Sequence, residues 1–229
     1  MAKQKRVTRK QLLKEPDEFI TTTGKIIRWG RQYTRQVAYA AGALLLFLVV
    51  ITGYRYFSNS AENRAFSMLD QAVSNYEGKK TDMDVLTAYE GVKEDFEYII
   101  RKYDNTEGGK LATVVFARIS YDASNVDRAI QLYEAALAYF ENDPTYQNFL
   151  WSGLGYAYEK KQDVRMAISC FEKIAGGEDP VVKDVALFNM GRLYHDLGDT
   201  AKSMQAYERL TTEHTDSIYY QLAMEKVAG

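Results

Sequence analysis

Apolar residues are distributed along this chain in two ways, and the difference divides it. From Gln36 to Tyr54 nineteen residues carry no charge, and within them Leu44, Leu45, Leu46, Phe47, Leu48, Val49, Val50 and Ile51 form an unbroken block. After residue 58 the apolar positions instead recur at steps of three and four, as on one face of a helix. Asp127 to Tyr139 shows this with Ala129, Ile130, Leu132, Tyr133, Ala136 and Leu137, and Val164 to Ile174 with Met166, Ala167, Ile168, Cys170, Phe171 and Ile174. No stretch of the sequence sustains the alternation of a strand. Proline occurs only at 16, 144 and 180, and the last two stand where helices should begin. The pattern predicts an all-α chain, with one apolar helix followed by a series of amphipathic ones.

About 20 residues of helix cross the hydrocarbon of a bilayer. The eight-residue apolar block alone favours insertion by roughly 2 to 5 kcal/mol. Residues 36–57 are therefore expected to form a single transmembrane helix, with Tyr54, Tyr56 and Phe57 as its interfacial aromatic belt. Charge then orients the span. Residues 1–36 carry ten basic and three acidic side chains, whereas residues 58–229 carry eighteen basic and twenty-eight acidic, so the net charge of −2 conceals a strong asymmetry. Lys and Arg beside a span resist translocation, which places the N-terminus in the cytoplasm and residues 58–229 outside it. A cleaved secretory leader is the rival reading, because the small residues Ser58-Asn59-Ser60-Ala61 follow the block. Against it stands a charged leader of 36 residues where a few are usual.

Residues 1–35 read as a basic cytoplasmic arm. In it Phe19, Ile20, Ile26, Ile27, Trp29 and Tyr33 are interleaved with Lys25, Arg28, Arg31 and Arg35, a mixture suited to a short amphipathic helix in the membrane plane touching anionic lipid. Docking onto another membrane protein or an RNA-rich surface such as the ribosome is the other reading. Met1 to Lys14 is polar and basic, and loose order is expected there unless something binds it.

Residues 58–229 suffice for one domain with a substantial core. Four aromatics, Phe96, Tyr133, Phe171 and Tyr207, are separated by 37, 38 and 36 residues, and each follows Val92, Ala129, Ala167 or Ser203 by four. Ala117, Gly155 and Gly191 lie sixteen residues upstream of three of them. Such a fixed period indicates stacked helical hairpins, with small side chains where helices cross closely. Gly108-Gly109 and Gly176-Gly177 are expected in the turns between hairpins. Residues 61–104 read as a degenerate first hairpin with an extended linker at Gly78 to Asp82, and Asp216 to Val227 as a closing helix.

Trp151, Leu154, Gly155, Tyr158, Ala167, Phe171 and Pro180 resemble the tetratricopeptide repeat, whose hairpin pattern is W-x₂-L-G-x₂-Y followed by a small residue, an aromatic and a proline. The next hairpin is similar through Leu187, Met190, Gly191, Tyr194, Gly198, Ser203 and Tyr207, although Leu187 replaces Trp and Thr215 stands at the proline position. The preceding one is weaker, with Ala117, Ala129, Tyr133, Ala136 and Pro144. The resemblance implies a right-handed α-solenoid. The framework residues Ala117, Ala129, Tyr133, Trp151, Leu154, Gly155, Tyr158, Ala167, Phe171, Gly191, Tyr194 and Tyr207 are expected to be buried packing groups. The resemblance also implies a peptide groove on the first helix of each hairpin. Its places fall at Leu111, Val114, Arg118, Tyr121 and Asp122, then at Phe149, Ser152, Tyr156, Glu159 and Lys160, and finally at Val185, Phe188, Arg192, His195 and Asp196. An ordinary solvated face is the alternative for each of these.

The order of arm, span and external repeats also resembles the YfgM-type family of bitopic proteins, ancillary to the bacterial SecYEG translocon. That architectural likeness implies an inner-membrane protein whose repeats hold client or partner polypeptides in the periplasm, as a translocon-associated chaperone or adaptor. A cell-envelope assembly scaffold is the alternative. Expected partners are proteins (secretory clients, SecYEG or an envelope complex), membrane lipids through residues 1–57, and in one reading a second copy of the chain; nucleic acid is not among them. No cofactor, metal site or enzymatic activity is expected. Cys170 is the only cysteine and reads as a small buried hydrophobe. A thiol hydrolase built on Cys170, His195 and Asp196 lacks an orienting bond, since neighbours on a helix point apart.

Overall fold

The computed structural model describes residues 18–177 and 182–228. Met1 to Lys14, Pro16 and Pro180 lie outside the described residues. Those described form helices joined by short turns. The chain divides into two compact units, one ending at Ser58 and the other beginning at Asn59.

In the first unit, α1 (Glu18–Gln32) is followed by α2 (Thr34–Asp82). Between them stands Tyr33, across which backbone bonds from Tyr33 to the Trp29 carbonyl and from Val37 to the Tyr33 carbonyl continue at 3.1 and 2.9 Å, and the Thr34 hydroxyl donates to the Arg31 carbonyl at 2.7 Å. Within α2 the residues from Leu44 to Ile51 are exposed to the surroundings. An 18-residue window of this helix has mean hydropathy 2.1 with none of it buried, which by length and composition is enough to cross a membrane.

The second unit starts on α2, where Ala65, Leu69, Ala72 and Tyr76 are buried. Their spacing of four, three and four is one stripe of a helix, and packing of that stripe carries α2 through Gly78. This overturns the expected linker at Gly78 to Asp82: a glycine inside a helix costs only about 1 kcal/mol, less than the buried stripe supplies. After the Asp84 N-cap the partner helix of this hairpin is broken in two, α3 (Val85–Glu90) and α4 (Lys93–Lys102), with Gly91 and Val92 between them. The Tyr89 and Phe96 rings still reach the same place, each stacked on Phe116 at 5.6 and 5.0 Å.

Three regular hairpins follow: α5 (Glu107–Asp122) with α6 (Val126–Tyr139), α7 (Pro144–Lys160) with α8 (Val164–Ala175), and α9 (Lys183–Asp196) with α10 (Thr200–Glu213). Each helix packs mainly on its neighbours in sequence, which defines a solenoid. The hairpin turns repeat one design. Ser124, Gln162 and Gly198 have φ of 64°, 68° and 77°, and the next residue's amide donates to the carbonyl five residues back: Asn125 to Ser120, Asp163 to Tyr158, Asp199 to Tyr194, at 2.8 to 2.9 Å. This bond closes the first helix. In the second and third turns the same aspartate caps the next helix, accepting from Met166 and Lys202 amides.

Between hairpins, Pro144 occupies the start of α7 behind the Asp143 cap, and Gly176 caps α8. Gly108 and Gly109 differ from expectation: they lie in the first turn of α5. A Cβ on Gly108 would sit 2.8 Å from the Ala65 Cβ, and one on Gly109 would run into the Tyr103 carbonyl. Close approach, not turning, requires glycine there. It also lets the Glu62 carboxylate of α2 accept from the Gly108 and Glu107 amides at 2.8 and 3.1 Å, a favourable place for negative charge. The closing helix, α11 (Tyr220–Ala228), begins four residues later than expected, because Ser217 to Tyr219 form a turn in which the Ser217 hydroxyl caps the Tyr219 amide at 3.1 Å.

Candidate protein-binding surface

The period marked in the sequence is a packing period. Ala129, Ala167, Phe171 and Ala117 have no exposed surface, Tyr133 has 1 %. The small residues sixteen positions upstream make room for the rings: a Cβ on Gly155 would lie 2.9 Å from Phe171 Cζ, and one on Gly191 2.6 Å from Tyr207 Cε1. Ser203 adds a hydroxyl bond to the Gly191 carbonyl at 2.7 Å. A further contact joins successive hairpins and was not expected: Tyr133 of α6 presses on Gly153 of α7, where a Cβ would be 2.5 Å from the ring. A glycine two residues before the recognised one was its only sequence signal.

Trp151 departs from the expected burial. It is half-buried, packs against both hydrophobic clusters of the unit, and its indole donates to Gln147 at 3.1 Å. Tyr158 is also half-buried and bridges both clusters, donating to Glu134 at 2.8 Å. Leu154 and Tyr194 are buried, the latter donating to Glu172 at 2.6 Å.

The residues assigned to a groove occupy α5, α7 and α9, and polar bonds tie them across the three helices. Arg118 pairs with Asp122 along α5 at 3.1 Å. Lys160 of α7 donates to the Tyr121 carbonyl of α5 at 3.0 Å and stands 4.7 Å from the ring centroid. Glu159 of α7 holds Arg192 of α9 through two bonds, 2.6 and 2.8 Å. Asn189, a buried residue the sequence did not single out, donates to the Tyr156 hydroxyl and to the Val185 carbonyl at 3.1 and 2.8 Å and accepts from Arg192 at 3.1 Å. A polar residue among Leu187, Phe188 and Met190 was the signal that could have found it.

Burial raises the Tyr121 hydroxyl pKa, and the nearby Glu159 and Asp122 charges add to the effect. Burial likewise pushes Tyr133 up to about 12. The bond to Glu159 raises Arg192.

Not every assigned place faces outward. Val114 is buried in the core and belongs to packing, which corrects its assignment to the groove. Leu111, Ser152 and Val185 are half-buried. Phe188 is covered by the chain's own C-terminal segment, its ring stacked on Tyr219 at 4.6 Å. The open positions are Phe149, 47 % exposed, with Arg118, Lys160, His195 and Asp196. Chemically this is a recognition surface with one projecting aromatic and mixed charge. His195 Nδ1 is 3.7 Å from Asp196, beyond hydrogen-bonding distance. Cys170 is buried and its thiol is pushed up to about 12 by that burial, with Glu134 adding, the reverse of an activated nucleophile.

Two stretches of the chain, residues 150–176 and 185–217, match models of the tetratricopeptide repeat. Tetratricopeptide repeats stand at these two stretches. The matched stretches are α7 with α8, and α9 with α10 extended to Ser217. Among solved structures the chain is similar to the nearly identical TPR-like repeats of a Podosopora anserina chain described as a candidate kinesin light chain, at 16 % identity and TM-score 0.54 over 73 % of this chain and 84 % of that one. It is similar also to a tetratricopeptide repeat protein from Parabacteroides merdae, at 14 % identity and TM-score 0.54 over 70 % and 59 %. A third is MamA, at 16 % identity and TM-score 0.50 over 67 % and 90 %. At such identities the likeness is one of fold. No curated protein matches the chain. Repeats of this kind make protein–protein interaction modules.

Proposed function

We propose that the chain is a membrane-anchored protein-interaction module whose repeats bind polypeptides on the extracytoplasmic side of a bacterial inner membrane. The observation that carries the reading is the row of open side chains on the first helices of successive hairpins, Arg118, Phe149, Lys160 and His195. An aromatic anchor among charged groups suits a protein partner. The exposed apolar block of α2 supports anchorage, since an uncovered patch of this size in water invites aggregation. The basic excess before it supports a cytoplasmic N-terminus. Placement next to the exit of a secretion channel, with unfolded secretory clients as guests, is the finer form of this proposal. It rests on the resemblance of the architecture to the YfgM-type family. We take the role to be non-enzymatic.

A photocrosslinking residue at Phe149 or His195, in cells, tests it. Capture of many unfolded secretory proteins is the expected result, whereas one stoichiometric envelope partner would favour an assembly scaffold. Protease added to intact spheroplasts should digest the repeats, and their protection would overturn the orientation.

A further inference from the structure

We infer that the crevice between α9, α10 and α11 is a seat for a carboxylate, supplied by an acidic side chain or the chain end of a bound polypeptide; this rests on the reading of the repeats as a polypeptide-binding module. The crevice has a volume of about 140 Å³ and is lined by Arg192 and His195 of α9, Thr200, Met204 and Tyr207 of α10, and Lys226 of α11. Ser203 lines it too, with its hydroxyl already spent on the Gly191 carbonyl at 2.7 Å. One water needs about 10 to 15 Å³, so the space takes a group of several heavy atoms. No Asp or Glu is among the lining residues. Asp196 is 4.0 Å from Arg192 and 3.7 Å from His195 without lining the space.

Tyr207 singles this crevice out. The residue is 5 % exposed, yet its hydroxyl makes no hydrogen bond with the described residues. A buried donor left unmet in this way calls for a partner. The ring is held against Gly191, where a Cβ would lie 2.6 Å from it, and this fixes where the hydroxyl emerges. Phe171 fills the corresponding seat on Gly155 without a hydroxyl, so packing does not ask for one. The charged neighbours also have donors to spare. Lys226 forms no ion pair with the described residues. Three N–H groups of Arg192 go to Glu159 and Asn189, which leaves the rest of its fork unspent. Guanidinium, ammonium and phenol donors converging on one space suit the paired oxygens of a carboxylate.

The full-length chain in detergent micelles is titrated with short fluorescein-labelled peptides tiled along secreted proteins, and binding is read by fluorescence polarisation. The acceptor is removed from the peptides in two ways, by exchanging Asp and Glu for Asn and Gln in one set and by amidating the C-terminus in the other. One of the two sets should bind roughly tenfold or more weakly than the unchanged peptides, the usual yield of a bond to a charged group. The set that weakens names the source of the carboxylate. Lys226→Gln and Tyr207→Phe should each weaken the unchanged peptides while leaving the neutralised ones as they were, and Lys226→Arg should retain the preference. Tyr207→Phe should melt no lower than the parent chain, which separates a lost donor from a damaged fold. Lys173→Gln, which removes a cation from α8, should change neither class. Equal affinity for unchanged and neutralised peptides would overturn the assignment, as would a Lys226 or Tyr207 variant that weakens both classes alike, or a Lys173 variant that weakens binding as they do. A chain that binds none of the peptides would overturn the polypeptide-binding reading and this assignment with it.

Discussion

At the scale of single residues, the glycines of this chain separate into those that make room and those that do not. Gly155 and Gly191 are seats for the Phe171 and Tyr207 rings, with no space for a Cβ, whereas Gly78 has nothing within 4 Å. Gly191→Ala should therefore destabilise the repeats by about 1 to 3 kcal/mol, the usual result of overfilling a packed contact. Gly78→Ala should stabilise them by roughly 0.5 to 1 kcal/mol, because only backbone entropy is at stake. Chemical denaturation of both variants checks the pair, and equal shifts would show that the rings can move aside. Tyr133 allows a second measurement. Its hydroxyl is held up to about 12 in the fold against 10.0 ordinarily, so the fold prefers the neutral form. The associated stability is fully present below pH 10 and is lost as pH rises through about 12. Thermal melts across that window should fall less steeply for Tyr133→Phe.

At the scale of elements, the hairpin turns place a left-handed residue at positions 124, 162 and 198, and only the last is glycine. A non-glycine side chain there costs about 1 kcal/mol or somewhat more. Gln162→Gly should raise stability by roughly 1 kcal/mol and Gly198→Ala lower it by a similar amount, read as opposite shifts in denaturation midpoint. The turns also show what the sequence made legible. Helices α6 and α8 could be drawn from the spacing of Ala129, Tyr133, Ala167 and Phe171 because local periodicity and tertiary packing agree there. Gly78 and the Gly108-Gly109 pair were misread because glycine marks turns and close approaches alike. Only the partner atoms, the Ala65 methyl and the Tyr103 carbonyl, distinguish the two. The places assigned to a groove were read from the resemblance alone, and which of their side chains are engaged by neighbours was not legible. Nothing local in the sequence indicates that Glu159 engages Arg192 from the next hairpin, or that Tyr219 returns to cover Phe188.

At the scale of the whole molecule, the second unit follows the logic of a linear array: each hairpin contacts its neighbours and contributes one ring and one small residue to a repeating contact. Trp151 and Tyr158 sit on both clusters of that array, which couples the hairpins on either side. The ordinary measure of how tightly such an array holds together requires an introduced label. Here the chain carries one already. The sole sulfhydryl, on Cys170, is enclosed in the middle hairpin, out of reach of alkylating reagents until α7 and α8 part. Its rate of modification in untouched native membranes would therefore time the opening of the array, with and without a guest bound.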